Sequence, residues 1–454
     1  MPTAGDLGPG LARMRPDDHF MAITDTPATP MHIGALQFLA APPGDRAELA
    51  QKLRAHLLAR LPNTPLMVQL REAPDGYDSD VWVDVAEIDV DYHLQIVPDR
   101  LDEAGVRRFI AQQCMQRIDL ARPPFRIFIL PNLEGDRVAL HYKVHHCFSD
   151  GIGFQTILGR LSDDGAPNQP PHPAAHLPSP EAWRAAADAR FEAEAELRER
   201  KKAEMAAALA KLKSGELPPR SPTPTLKLSG PTSMEREYAT QTIALERVKA
   251  VGKALGGTVN DIFLSLASSA IRRRLIEIDD LPDEPLTINA ARSYRRPEHG
   301  EFGNRIVALH PHIATNLADP IARLRAIQES MKGEWARTPY DEAMLGAPEK
   351  PYGARDRRAR FAARTSTGAA VIPGNVTLSN VPGPEGDRYV AGLKQLANFP
   401  TPILGSGRFL NITSRRNGPN LDMGIMVDPT KLPEAARIGA YLVAALEEYE
   451  ALVD

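Results

Sequence analysis

Cysteine is nearly absent: Cys114 and Cys147 are the only two in 454 residues. Two thiols make no disulfide framework and suit a reducing cytosol. Neither sign of charge dominates. The formal net charge is −4, which gives no global reason to expect nucleic acid or an anionic surface as partner. The opening residues, MPTAGDLGPGLARMRPDDHF, lack the apolar core of a signal peptide. No uninterrupted apolar run reaches the roughly 18 residues of a membrane span. CxxC and HExxH are missing, and so are the nucleophile motifs GxSxG and CGxCW. These absences predict a cytoplasmic protein, soluble or lying on a membrane surface, with no metal and no covalent serine or cysteine chemistry.

What is present is a long chain that alternates strand and helix patterns. Its length predicts two domains of roughly 150–220 residues. In block 1–165, MHIGALQFLA (31–40), FRIFIL (125–130) and DRVALHYKVHH (136–146) read as strands. RAELAQKLRAHLLARL (46–61), VRRFIAQQCMQRI (106–118) and GIGFQTILGRL (151–161) read as helices. Segment 166–233 is a linker, Pro-rich at both ends, with a helix over 180–217 dense in Ala, Glu, Lys and Arg. Its sparse apolar residues predict a solvated connecting helix. Block 234–454 alternates again, with strands at 236–245, PLTINAA, NRIVALHPHI, GAAVIPGNVTLSNV and FLNITSRR. Helices are predicted at 246–255, 258–277 and the C-terminus. The fold class is α/β, layered, in two similar blocks.

Chemistry concentrates in HYKVHHCFSDG (141–151). Adjacent strand residues point to opposite faces, so His145 and His146 are poorly placed to chelate one metal. Continued alternation puts His146 with Val138, Leu140, Tyr142 and Val144, and His145 with His141 and Lys143. The first face is the more apolar, so His146 is the one to enter an interior or channel. There it is either a satisfied core histidine or a neutral base. Asp150 can cap the helix that Gly151 opens, or fold back to fix the loop carrying His146, paired with an arginine from elsewhere. With no nucleophile motif, a histidine base would activate a hydroxyl of the substrate for direct acyl transfer.

HHCFSDG fits the HHxxxDG motif of chloramphenicol acetyltransferase-like and peptide-synthetase condensation domains. Together with TPATPMHIGALQFL, DVDYHL (89–94), TVNDIFLSLASSAIRRRL, FGNRIV (302–307) and NVTLSNVPGPEG (375–386), it resembles the bacterial wax ester synthase/acyl-CoA:diacylglycerol acyltransferase family over nearly the whole chain. The resemblance implies two chloramphenicol acetyltransferase-like domains, joined by a long partly helical linker, with a tunnel between them. It implies acyl-CoA as donor, a long-chain alcohol or diacylglycerol as acceptor, no bound cofactor, and peripheral contact with the inner membrane or lipid inclusions. His146 would be the general base, beside His145. Asp150 would be a structural helper paired with Arg295 or Arg296.

Asn260 and Asp261 match the family's Asn-Asp pair. Asn260 is either an oxyanion donor or part of a helix cap. Ser379 and Asn380 would lie near the domain junction or serve only a turn, and Gly303 and Asn304 need no functional explanation. Pro124 and Phe125 stand where relatives carry Pro-Leu, and Arg126 stands where they carry Trp, which puts the shape of the acyl pocket in question. The stretch PYGARDRRARFAARTSTG (351–368) departs from the apolar helix of relatives. It is either a solvated basic helix or a surface for anionic headgroups or CoA phosphates. The other function classes are the same base with an isoprenoid, sterol or amine acceptor, and a non-catalytic lipid carrier. Intact His146 and Asp150 argue against the carrier.

Overall fold

Two periods of apolar spacing, two residues and 3.6 residues, sort most of the chain into strands and helices. The computed structural model describes residues 6–170, 172–366 and 373–453, and gathers twelve of the strands into two six-stranded sheets. The first sheet runs Tyr389–Val390, Leu393–Thr401, His32–Ala40, Arg137–His145, Phe125–Leu130, Leu94–Ile96. The second runs Ile306–Leu309, Ile288–Ser293, Val376–Val381, Leu410–Asn417, Asn420–Val427, Glu237–Ala244. Strands Ile288–Ser293, Val376–Val381 and Leu410–Asn417 are mutually parallel. This is the layered α/β architecture that the alternation predicts.

Each sheet buries one face under helices. Ala35, Leu39, Val138, Leu140 and Val144 of the first sheet meet Leu53 and Leu57 of helix Arg46–Arg60 and Ile157 and Leu158 of helix Gly151–Leu161. In the second, Ile412, Met423 and Ile425 pack with Leu266 and Ile271 of helix Val259–Glu277 and Leu442 of helix Ala435–Glu450. Burying each such side chain contributes about 1.5–3 kcal/mol.

The expected division near residue 234 does not separate the sheets. Strand Leu393–Thr401 belongs to the second half of the chain yet pairs with His32–Ala40. It crosses directly over Gly424, where a Cβ would lie 1.7 Å from the Pro400 carbonyl oxygen, and Tyr238 Oη donates to the same oxygen at 2.8 Å.

The linker helix also departs from expectation. It divides into Pro180–Ala193 and Ala195–Lys213. Trp183, Ala187 and Phe191 of the first piece are buried, and Trp183 packs with Ala73 and with Val81 and Val83 of a small third sheet. Asp78 pins it there by accepting from Trp183 Nε1 at 3.0 Å, from Arg13 Nε at 2.7 Å and from Arg190. Only the second piece is solvated, with Ala208 its one buried residue.

A 24-residue helix, Pro320–Ala343, escaped the pattern reading because charges interrupt its buried Leu324, Ile327 and Met331. The Arg-rich stretch forms helix Gly353–Ser366; residues 367–372, including the start of the strand predicted over 368–381, lie outside the described residues. Arg357 pairs with Glu349 at 2.6 Å, Arg358 pairs with Asp80, and Arg355 lies over the Tyr352 ring at 4.0 Å. Much of the basic face is thus committed within the protein. No single helix among the described residues is long and apolar enough to cross a membrane.

Candidate active site

Strands His32–Ala40 and Arg137–His145 pair without a break, ending at His32 opposite His145. His146 N–H extends the contact by donating to the Met31 carbonyl at 2.8 Å. The chain then turns sharply: Cys147 N–H donates to His145 Nδ1 at 3.2 Å and Phe148 N–H to the His145 carbonyl at 3.0 Å. The strand therefore stops one residue before the alternation argument requires. His146 reaches the space between the two sheets from a turn, not through the apolar face of the strand. His145 does not line that space. It is buried, with Nε2 3.5 Å from Asp25 Oδ2, and this bracing of the turn replaces the catalytic place expected for it.

Asp150 and Gly151 hold the turn from its far side. Asp150 is the N-cap of helix Gly151–Leu161, and its Oδ1 accepts from Gly153 N–H at 2.9 Å. Its Oδ2 accepts from Arg295 Nη2 at 2.7 Å and from Arg305 N–H at 2.9 Å. Both sequence readings, helix cap and arginine partner, are therefore realised at once. The partner is Arg295; Arg296 pairs with Glu342 instead. Arg295 also donates to the carbonyls of Gly300, Phe302 and Gly303, so one guanidinium ties the Arg295–Gly303 segment to the histidine turn. Gly151 lets strand Val376–Val381 approach, since a Cβ there would lie 3.2 Å from Val381 Cγ1.

Between the sheets lies a cavity of about 420 Å³, within the usual range for small-molecule sites. Met21, Met31, Ile33, Phe154 and Phe361 give it an apolar side. The opposite wall is one face of two parallel strands, because residues two apart share a face. Thr377, Ser379 and Val381 stand in register with Asn411, Thr413 and Arg415, and all six line the cavity.

His146 lines it too. Burial depresses its pKa below the ordinary imidazole value, partly opposed by its own carbonyl, by Asp150 and by the Asn304 side chain. At neutral pH the ring is therefore uncharged and able to take a proton. Nδ1 is enclosed and without a hydrogen-bond partner, which leaves Nε2 for the cavity. Asn304 steadies the residue through Nδ2 on the His146 carbonyl at 2.7 Å, and is itself held by Asp18 at 2.7 and 2.9 Å. Sequence reasoning passed over Asn304 because a Gly-Asn pair before a strand looks like ordinary turn chemistry.

Other expected residues lie elsewhere. Asn260 and Asp261 do not line the cavity. Thr258 and Asp261 form a capping box for helix Val259–Glu277, and Asn260 sits in the first turn of that helix. Pro124 and Phe125 are buried in the first block: the Pro124 carbonyl accepts His145 N–H at 2.8 Å, and the Phe125 ring lies 4.7 Å from His93. Arg126 stacks on Tyr92 and Phe128. None of the three shapes this cavity. Ser379 lines it, whereas Asn380 is exposed and accepts from Ser414 Oγ at 2.9 Å. Cys147 is buried, its thiol pKa pushed well up by burial, and does not line the cavity. Among the described residues no group of three or more His, Cys, Asp or Glu side chains is placed to hold a metal ion.

Comparison with known proteins agrees with this geometry. The family model for the wax ester synthase/diacylglycerol acyltransferase catalytic domain matches residues 14–263, and that for the WS/DGAT C-terminal domain matches residues 302–450. A Mycobacterium tuberculosis protein named "Probable diacyglycerol O-acyltransferase tgs2" is 27% identical over 468 residues, covering 97% of this chain and 99% of the relative. The solved wax ester synthase/diacylglycerol acyltransferase from Marinobacter aquaeolei VT8 superposes with a TM-score of 0.67 at 22% identity, covering 97% of this chain and all of that one. The starter condensation domain of rhizomide synthetase RzmA, in complex with C8-CoA and Leu-SNAC, gives 0.57 at 13% identity, covering 98% of this chain and 94% of that one. These two structures establish the shared fold. The catalytic-domain match alone spans more than half of the sequence, and the chain belongs to the wax ester synthase/diacylglycerol acyltransferase family.

Proposed function

We propose that this acyltransferase moves a fatty acyl group from acyl-CoA to the hydroxyl of a diacylglycerol or long-chain alcohol, with His146 as general base. The observation that carries the proposal is a neutral, partly buried imidazole opening on a largely apolar cavity between two sheets. As the acceptor hydroxyl attacks the thioester carbonyl carbon, its proton passes to His146 Nε2. The tetrahedral adduct collapses by breaking the C–S bond. CoA leaves as a thiolate and takes the proton back from the imidazolium, so the enzyme returns to its starting state. No acyl-enzyme is required. Cys147 is enclosed away from the cavity, and a hydroxyl substrate next to His146 supplies the nucleophile itself.

Asp150 and Arg295 act as positioning residues, fixing the turn that carries the base. Acyl-CoA is the donor and no bound cofactor takes part. Delivery of so apolar a product points to peripheral contact with a membrane or lipid inclusion. The test is release of free CoA from palmitoyl-CoA, with hexadecanol, dioleoylglycerol or no acceptor, by wild type and His146→Ala. An acceptor should stimulate release, and the variant should lose about 10²–10⁴-fold. Acceptor-independent release, or an undiminished variant, would refute the assignment.

A further inference from the structure

The cavity wall ends in a charge with no carboxylate in direct contact. Arg415 lines the cavity although only 1% of its surface is exposed. Its Nη1 donates to Asn398 Oδ1 at 2.9 Å and its Nη2 to Gln155 Oε1. Both partners are neutral amides, and among the described residues no carboxylate accepts a hydrogen bond from Arg415. Asp422 attracts it from a distance, its oxygens accepting from Asn398 N–H, Thr242 and Asn417, while Arg388 repels it. Burial draws the Arg415 pKa down to about 9, so it stays cationic at neutral pH. A guanidinium carries five N–H donors, and only two of them have acceptors here; Nε is enclosed, which leaves the remaining Nη hydrogens for a ligand. Buried charges are normally paired, so this fork is complete only when a ligand brings an acceptor oxygen.

The ligand's chemistry follows from what surrounds the fork. Gln155 sits four residues beyond Gly151 on the helix capped by Asp150, an axial distance of about 6 Å. Val381, in register with Arg415, faces Gly151 across that helix start. The fork and the histidine turn thus flank the same helix start, with Ser379 and Thr413 on the wall between and apolar side chains beyond. A plain alkanol has one oxygen, which His146 must receive. A glycerolipid offers a free hydroxyl and ester carbonyls on one compact head, with tails for the apolar side.

Resting on the function proposed above, we propose that Arg415 reads an ester carbonyl of the acceptor, so that diacylglycerol is the substrate class this cavity fits.

The test keeps hydroxyl and tails constant and removes only the carbonyls. kcat/KM is measured with palmitoyl-CoA and either 1,2-dioleoylglycerol or its dialkyl-ether analogue, in wild type and Arg415→Met. A hydrogen bond to a charged group predicts an ester-over-ether preference of roughly tenfold to a hundredfold in wild type. In Arg415→Met both acceptors meet the same apolar side chain, and the ratio should approach one. Equal turnover of ester and ether by wild type overturns the inference, and so does a preference that survives in the variant. Should Arg415→Met fail to fold, the wild-type ratio still decides. Turnover of both acceptors at equal rates leaves the acyltransferase assignment standing. Turnover of neither overturns the diacylglycerol inference, and it removes the acyltransferase assignment as well only when hexadecanol also fails to stimulate CoA release.

Discussion

Removing the Arg295 side chain should loosen the catalytic turn without touching the base. Asp150 is 1% exposed and Arg295 11%, with 2.7 Å between Nη2 and Oδ2. Arg295→Met leaves the carboxylate buried and stranded, and breaking a buried pair from one side costs about 3–5 kcal/mol. Two charge-assisted bonds remain, from Gly153 N–H and Arg305 N–H at 2.9 Å each, so the lower figure of about 3 kcal/mol is the better guide. Hydrogen exchange reads it locally. The amides of Gly153 and Arg305 should exchange on the order of a hundredfold faster in Arg295→Met, and acceptor-stimulated CoA release should fall with them. Adding Asp150→Asn removes the stranded charge and should recover part of the protection, a coupling that separates the ion pair from loss of packing. Arg295→Lys should recover less than wild type, because an ammonium cannot also serve the Gly300, Phe302 and Gly303 carbonyls. Unchanged exchange with full turnover in Arg295→Met, or a double variant no better protected than the single, would refute this account of Asp150.

Two further outcomes follow from the geometry. His146 works as the neutral ring and burial lowers its pKa, so kcat/KM should fall with acid along a limb whose midpoint lies below about 6.5. A midpoint above that value in the pH–rate profile contradicts the burial argument. Gly424→Ala should destabilise by roughly 1–3 kcal/mol or more, since its Cβ would stand 1.7 Å from the Pro400 carbonyl oxygen and force the crossing strand away. A wild-type denaturation midpoint for Gly424→Ala would mean that the strand crosses with room to spare.

What the sequence made legible was local. Helix Gly151–Leu161 has the bounds read from its pattern, because an Asp cap, a permissive glycine and a run of apolar spacing coincide there. Thr258 and Asp261 likewise spell out a capping box within four residues, beside an Asn260 that does not line the cavity. Long-range pairings were not legible. Arg295 and Arg296 adjoin in an irregular segment, with no periodicity to choose between them, and only the fold brings one to Asp150. Asn304 reaches a carbonyl 158 residues away in sequence. Leu393–Thr401 reads as no particular sheet's strand; its place is set by what it crosses, Gly424 and Tyr238, in the other sheet.

The polar wall shows why the site was harder to read than the fold. Val376, Leu378, Leu410 and Ile412 alternate with Thr377, Ser379, Asn411 and Thr413, the pattern of a half-buried strand with one wet face. In an ordinary sheet that face meets solvent. Here two such strands lie side by side and parallel, and strand His32–Ala40 with its crossing neighbour closes over them, so the wet face becomes the inside of a cavity. Period two tells that a face is polar; it does not tell whether water or a ligand covers it. Asn411 donates to the Ile403 carbonyl at 2.6 Å and Thr413 Oγ1 to Asn411 Oδ1 at 3.0 Å, but an alkyl chain alone gives the Thr377 and Ser379 hydroxyls no partner, a cost of about 1–3 kcal/mol for each group left unsatisfied. A ligand carrying its own oxygens avoids that cost. The same reasoning that assigns the wall to strands therefore predicts, once the wall is seen to face inward, a substrate that is polar at its head as well as apolar in its tails.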